Sequence, residues 1–160
     1  MDARLNFFAS PQAMASVKHL IAAGKVFADG PLPAATRELV LLRVSQINGC
    51  ARCVEMHTKE AEHEGESSAR LHLVATWREA TLFTPAERAA LELAEEGTRI
   101  ADAAGGVSDE VWAEAAKHYT EAELTALTGI IAVTNAFNRL NLISQQPAGD
   151  YVVGQYAHLS

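Results

Sequence analysis

The hydrophobic and polar positions along this chain follow the spacing of helices separated by short turns. Apolar residues recur three and four positions apart, and Gly and Pro residues fall between these stretches rather than inside strand-like alternation. Alanine is abundant and β-branched residues are scattered, which also favours helix. The pattern predicts an all-α fold of about six to eight helices.

Start and stop signals place the first two helices. The first is predicted from about Pro11 to Phe27. The second has Pro33 in its first turn and Gly49 at its end. Its interior is apolar on most faces, so we expect it to be buried; the residues concerned are Leu39, Val40, Leu41, Leu42, Val44 and Ile47.

The later helices are also marked by their first residues. A third helix is predicted from near Cys50 to about Glu64, and Ser67 or Ser68 can cap a short fourth helix through "ARLHLVATW". Capping boxes and a capping serine predict three more helices, the last of them long and apolar; these signals are Thr84 with Glu87, Ser108, and Thr120 with Glu123.

Composition limits the kind of protein this is. A chain of 160 residues fits one domain, spanning 1–160, with a core that needs neither disulfides nor metal. The formal charge is −7 and the basic residues form no stripe, which argues against nucleic acid and anionic membrane as partners. No signal-like or bilayer-spanning stretch is evident, so we expect a soluble, cytoplasmic protein. The sequence contains no Gly-rich phosphate-binding loop, so it gives no indication of a bound nucleotide cofactor.

Both cysteines lie in the segment "NGCARCVEMH", and His57 follows Cys53 by four residues. A disulfide between Cys50 and Cys53 would close a very short loop, worth only about 2 kcal/mol, so chemistry is a better reason for the pair than stability. On a helix, spacings of three and four place Cys50, Cys53 and His57 on one face. Helix-terminus electrostatics, which stabilise a thiolate, favour Cys50 as the nucleophile. The position of His57 one turn after Cys53 instead favours Cys53, and Arg52 adds a cation of unknown direction.

Glu38 is the second unusual position, because it immediately precedes the apolar run of the predicted buried helix. A carboxylate there needs a partner or a raised pKa. Arg37, Arg43 and Arg139 are candidate partners, and Glu38 is a candidate acid or base.

The stretch "ELVLLRVSQINGCARCVEMH" resembles the core motif of AhpD-like alkylhydroperoxidases within the carboxymuconolactone decarboxylase superfamily. That motif has a glutamate, then Cys-x-x-Cys twelve residues later, then a histidine, and it is matched here by Glu38, Cys50, Cys53 and His57. The later "NAFNRLNL" resembles the Asn-rich closing helix of the same group. The resemblance covers roughly Pro33 to Leu142.

This resemblance implies a homo-oligomer, a trimer or hexamer with one core motif per chain, that reduces organic hydroperoxides without a dissociable cofactor or metal. Cys53 would attack the peroxide, Cys50 would be the proton donor and resolving thiol, and Glu38 and His57 would form a proton relay. The reductant would be an external dithiol, of which a lipoyl-type dithiol is one example.

Other interpretations stay open at the level of the sequence. The same residues suit a disulfide reductase or adaptor that passes electrons to a peroxiredoxin, and an inactive scaffold-type relative would keep the fold alone. Cys50, Cys53, His57 and Glu38 are also plausible zinc ligands, although no second ligand pair appears. Asn135, Asn138 and Arg139 are placed outside the catalytic set, because buried polar residues usually satisfy one another.

Overall fold

The computed structural model describes residues 2–103 and 105–156, and over these residues the chain is all-α, as predicted. Seven α-helices and two short 3-10 turns, with no strand, account for the regular structure of the described residues. The helices are α1 (Pro11–Ala28), α2 (Ala34–Asn48), α3 (Ala51–His63), α4 (Ser68–Leu73), α5 (Pro85–Thr98), α6 (Asp109–His118) and α7 (Glu121–Ser144). The 3-10 turns are Phe7–Ala9 and Val74–Thr76.

The predicted helix starts are confirmed by the capping contacts. Thr84 and Thr120 each form a full capping box, with Glu87 and Glu123 respectively. Ser108 caps α6 by accepting the third amide of that helix. Because each of these side chains satisfies amides that a helix start leaves unpaired, the local sequence fixes where α5, α6 and α7 begin.

The fourth helix differs in its details from the prediction. Ser67, rather than Ser68, is its cap, since the Ser67 hydroxyl accepts the Arg70 amide. The α-helical part ends at Leu73 and continues only as a 3-10 turn over Val74–Thr76, so the predicted helix through Trp77 is too long. The Trp77 side chain is buried and donates to Glu95, a long-range contact that takes precedence over local helix propensity.

Helix α2 lies at the centre of the fold, between α3, α5 and α7. Val40 and Val44 pack into a cluster with residues of α5, α6 and α7, whereas Leu39 and Leu42 pack into a second cluster with Trp77, Phe83 and residues of α3 and α4. The helix therefore buries two faces, as its apolar character predicted. Each fully buried Leu or Val side chain contributes about 1.5–3 kcal/mol of transfer free energy.

A left-handed turn at Gly49 separates α2 from α3. Its φ is 71°, a conformation that costs little only for glycine, and Cys50 then becomes the N-cap residue of α3. Because the break is so short, α3 folds back against α2. Residues near the start of α2 are thereby brought beside the middle of α3.

On the α5 side of α2 lies a buried ion cluster. The Glu95 carboxylate accepts hydrogen bonds from Arg43 of α2 at 2.7 Å and from the Trp77 indole at 3.0 Å, and it also pairs with Arg78 and Arg99. Burial acts to raise the pKa of Glu95, but the hydrogen bonds from Arg78, Trp77 and Arg43 outweigh it and lower the pKa from 4.5 to about 2. Arg43, a candidate partner of Glu38 on sequence grounds, is therefore committed to Glu95.

None of the described helices combines the length and the apolar character needed to cross a bilayer. The described chain is a single copy, so the trimer or hexamer stays a prediction.

Glu95 should make the stability of the fold dependent on acid pH. Its pKa is lower in the folded chain than in the unfolded one, so its contribution is fully present above pH 4.5 and is lost as the pH falls toward about 2. We expect Glu95→Gln to lower the free energy of unfolding at pH 7 by about 2 kcal/mol and to flatten its decline in acid, as measured by urea denaturation at several pH values.

Glu92→Gln is the matched control. Among residues 2–103 and 105–156, Glu92 pairs only with Arg78, and its side chain is 36% exposed, so the change should cost less than about 0.5 kcal/mol. Equal acid sensitivity in the wild type and in Glu95→Gln would contradict this account.

Candidate redox site

Cys50 and Cys53 are joined by a disulfide at the start of α3. Both residues are buried, with 1% and 3% of their surface exposed. The Cys50 sulfur also accepts the Cys53 amide at 3.4 Å, in the manner of a capping side chain. The pair predicted from the sequence is thus in bonding contact, in a position from which bulk water is nearly excluded.

Glu38 and His57 meet across the α2–α3 contact. Oε2 of Glu38 lies 3.4 Å from Nδ1 of His57, and Oε1 accepts from Nε of Arg37 at 3.1 Å. Burial raises the pKa of the Glu38 carboxyl, but the hydrogen bonds and charges of His57 and Arg37 outweigh burial and hold the pKa below its ordinary value of 4.5. Glu38 is therefore a buried carboxylate that keeps its charge, with a partner on each oxygen.

Arg37 is the partner of Glu38 among the three arginines considered from the sequence. Its guanidinium also donates to the Ala28 carbonyl at the end of α1, at 3.3 Å, and lies 3.6 Å from Glu64. Arg139 is exposed and bonds to Asn135 within its own helix. Arg37 therefore fixes the carboxylate relative to α1 as well as to α3.

A cavity of about 560 Å³ opens beside these groups. Cys53, His57 and Glu38 line it, whereas Cys50 is not among the lining residues. Most of the remaining wall is apolar and comes from α1, α2, α3 and α7, including Val17, Ile21, Leu41, Met56, Ile130, Val133 and Phe137. One predicted sulfur and the predicted proton-handling pair thus share one apolar chamber.

Three asparagines of α7, spaced three residues apart, face the α2–α3 turn; they are Asn135, Asn138 and Asn141. Asn135 and Asn138 accept from the Asn48 side chain at 3.0 and 2.8 Å, and Asn138 donates to Ser45. These two satisfy other polar groups, in accordance with the sequence interpretation. Asn141 instead donates from Nδ2 to the Cys53 sulfur at 3.3 Å. This contact was not predicted from the sequence, although the three-residue spacing places Asn141 on the same helix face as Asn138.

The segment 147–156 runs from α7 across the outer face of α3. Arg52 of α3 donates to the Pro147 carbonyl at 2.9 Å, to Asp150 at 3.2 Å and to the Tyr156 hydroxyl. Glu55 accepts the backbone amides of Gly149 and Tyr151. Tyr151 and Tyr156 also line the cavity, and neither was predicted, because a segment without periodicity carries no signal of its position.

Zinc gains no geometric support. Cys50 and Cys53 are bonded to each other, whereas zinc binds cysteine as a free thiolate. Within residues 2–103 and 105–156, no three His, Cys, Asp or Glu side chains are grouped so that they could hold a metal ion.

Comparison with known proteins identifies the family. The model of the carboxymuconolactone decarboxylase family matches residues 11–96, more than half of the chain. The chain belongs to this family. Glu38, both cysteines and His57 all lie within the matched residues.

Individual relatives agree with this assignment. The uncharacterized protein YdfG of Bacillus subtilis is 41% identical over 107 residues, 67% of this chain and 71% of that protein. A structure of a protein of unknown function from Agrobacterium tumefaciens, described as a candidate antioxidant defence protein AhpD, superimposes with a TM-score of 0.85 and 31% identity over 94% of this chain and 100% of that one.

A third neighbour has a different chemistry. The debrominase Bmp8 bound to 2,3,4-tribromopyrrole has a TM-score of 0.75 at 19% identity, over 88% of this chain and 73% of that chain. At this identity the likeness shows the fold alone, and the fold does not identify the reaction. The chain is an AhpD-like member of the superfamily, and its Cys50–Cys53 disulfide is consistent with a redox role.

The contacts of Arg52 predict that this side chain secures the segment 147–156. Arg52→Met keeps the length of the side chain but removes its donors to Pro147, Asp150 and Tyr156. We expect hydrogen exchange of the Gly149 and Tyr151 amides to become at least about tenfold faster, measured by mass spectrometry, because a hydrogen bond to a charged group contributes about 1.5–3 kcal/mol.

Arg139→Met is the control, since Arg139 is also an arginine on a helix but, within the part of the chain that the structure describes, it bonds only to Asn135. Lys59 also contacts the segment, because its Nζ donates to the Tyr151 carbonyl at 2.8 Å. Unchanged exchange in Arg52→Met would show that Glu55 and Lys59 hold the segment without Arg52.

Proposed function

We propose that this protein is a thiol-dependent peroxidase that reduces organic hydroperoxides through Cys50 and Cys53. The observation that carries the proposal is that the Cys53 side of a buried disulfide and the Glu38–His57 pair line the same apolar cavity. A nucleophile, a base and an orienting carboxylate at one cavity are the parts that this chemistry requires.

Cys53 is proposed as the sulfur that attacks the peroxide. It lines the cavity, whereas Cys50 caps α3 outside the cavity wall. In the reduced protein the Cys53 thiolate would attack the terminal oxygen of the hydroperoxide and break the O–O bond. The hydroxyl stays on sulfur as a sulfenic acid, and the rest of the substrate leaves as an alkoxide.

His57 and Glu38 are proposed to handle the protons. His57 takes the proton of the Cys53 thiol and returns it to the departing alkoxide, which leaves as an alcohol. Glu38, ionised and hydrogen-bonded to Nδ1, stabilises the imidazolium between these two transfers. Cys50 then attacks the sulfenic acid sulfur, water leaves with the Cys50 proton, and the disulfide forms again.

The lining of the cavity supports an organic substrate over hydrogen peroxide. A volume of about 560 Å³ with mostly aliphatic and aromatic walls gains binding energy from an apolar substituent and gives few hydrogen bonds to a small polar peroxide. The regenerating reductant is proposed to be a small dithiol that enters the same cavity and exchanges with the disulfide.

Burial also bears on the adaptor alternative. With Cys50 and Cys53 only 1% and 3% exposed, a disulfide on the surface of a folded peroxiredoxin has no direct access to either sulfur. A small hydroperoxide or a lipoyl-type dithiol on a flexible arm meets no such obstacle. The observation therefore favours direct peroxide reduction.

Cysteine variants test the proposal. With a dithiol reductant and cumene hydroperoxide, Cys53→Ser should lose at least about a hundredfold in turnover because the nucleophile is gone. Cys50→Ser keeps the nucleophile but lacks the resolving thiol, so it should react once and accumulate a Cys53 sulfenic acid, detected by dimedone labelling and mass spectrometry.

Turnover by Cys53→Ser at the wild-type rate would refute the assigned chemistry. Slow peroxide turnover by the wild type, together with rapid exchange with a peroxiredoxin disulfide, would establish the adaptor instead. Two thiols that react with neither peroxide nor alkylating agents would establish an inactive scaffold.

Assembly into a trimer or hexamer is the remaining part of the proposal. Ile143 near the end of α7 is 73% exposed, and a contact between chains would remove this large apolar side chain from water. Ile143→Arg should move the mass measured by light scattering toward the monomer value of 17.2 kDa. Ile100→Arg, at a comparably exposed isoleucine of 57%, is the control. A fully active wild-type monomer would contradict this assembly.

A further inference from the structure

Asn141 has a polar atom that the rest of the fold leaves unused. Its Nδ2 donates to the Cys53 sulfur at 3.3 Å, while its Oδ1 is buried and has no hydrogen-bond partner among residues 2–103 and 105–156. A buried acceptor without a donor costs free energy, so native folds rarely keep one without a reason.

The chemistry of the disulfide fixes the orientation of this amide. A disulfide sulfur carries no hydrogen and can only accept, so the NH2 group of Asn141 must be the group that faces it. Oδ1 then lies on the other side of the same planar group. Asn141 is among the residues that line the cavity, so the amide that carries the buried acceptor borders the space that a substrate would enter.

The neighbouring asparagines show that the unused oxygen is not a general property of this helix face. The Oδ1 atoms of Asn135 and Asn138 both accept from Asn48. Of these three side chains, the one that touches the reactive sulfur is also the one with a vacant acceptor.

We propose that Asn141 is a catalytic residue of the peroxide reaction, with one function for each end of its amide. Nδ2 stabilises the Cys53 thiolate, and Oδ1 accepts a hydrogen bond from the terminal O–H of the hydroperoxide. This inference rests on the proposed peroxidase function. The oxygen that Cys53 attacks is the one that bears this hydrogen, so the same amide holds the nucleophile and its target atom together.

The step balances without a change in Asn141. Sulfur bonds to the terminal oxygen, the O–O bond breaks, and the alkoxide leaves with a proton from His57. The hydrogen held by Oδ1 stays on the transferred oxygen, so Oδ1 next accepts from the S–O–H group of the sulfenic acid. The orientation needed at the start is therefore retained in the product.

The test uses Asn141→Leu and Asn141→Asp in the full-length chain, with folding checked by circular dichroism and thermal melting. Leucine keeps the approximate volume but removes both hydrogen-bonding groups. Aspartate keeps an acceptor toward the substrate but places an anionic oxygen against the sulfur. Asn135→Leu is the matched control, because it removes an amide from the same helix without touching Cys53.

Two readouts separate thiolate stabilisation from substrate positioning. Alkylation of Cys53 against pH should shift to higher pH in both Asn141 variants, with a rate at neutral pH about tenfold lower in Asn141→Leu and lower still in Asn141→Asp. The rate of sulfenic acid formation with cumene hydroperoxide should fall about a hundredfold in Asn141→Leu, more than alkylation, because it loses both contacts. Asn135→Leu should show the wild-type alkylation profile.

The inference and the proposed function can fail separately. If the wild type reduces hydroperoxide and folded Asn141→Leu matches it in both readouts, the inference is overturned and the peroxidase stands. If the wild type reduces no hydroperoxide, the proposed function falls and the role of Oδ1 falls with it. An unshifted alkylation profile in Asn141→Leu would then overturn the role of Nδ2 as well.

Discussion

The redox site depends on the close return of α3 against α2 at Gly49. A left-handed residue at this turn lets the chain reverse without a loop, so only Gly49 separates the end of α2 from Cys50, the N-cap of α3. The same reversal brings Glu38 to within 3.4 Å of His57 although nineteen residues separate them. Because α2 is packed against α3, α5 and α7, the pair cannot separate without disturbing the core.

Buried charge explains why α2 shows no simple apolar stripe. Glu38 and Arg43 are both buried on this helix, and each has an ionic partner, Arg37 for the first and Glu95 for the second. A single unpaired charge at either position would be far more costly than the pair. The Arg43 pair lies on the α5 side, where neither residue lines the cavity, and it links two helices. The Glu38 pair opens onto the cavity, where its charge is available to His57.

The features that could be predicted from the sequence are those set by contacts between residues close together in the chain. Helix starts at Thr84, Ser108 and Thr120 follow from contacts within one turn, and the contact between Cys50 and Cys53 follows from their spacing at the start of α3. Long-range contacts were not predictable in the same way. Asn141 contacts a sulfur 88 residues away in sequence. Tyr156 contacts Arg52 across 104 residues, and no periodic pattern in the sequence predicts this contact. Likewise, the sequence alone could not show that Glu38 pairs with Arg37 and not with Arg43, because this depends on the long-range pairing of Arg43 with Glu95.

The enclosure of the disulfide constrains how a catalytic cycle can run. Cys50 is not among the lining residues and is 1% exposed, so in the proposed cycle an incoming dithiol would reach the disulfide from the cavity, at the Cys53 sulfur. Attack there would release Cys50 as the first thiolate, and the helix N-terminus that it caps would stabilise that charge. The two arguments about which cysteine is activated are then compatible. In the proposed cycle, Cys53 would be the sulfur that reagents reach and Cys50 would be the better leaving group, so peroxide and reductant would occupy the same cavity in turn.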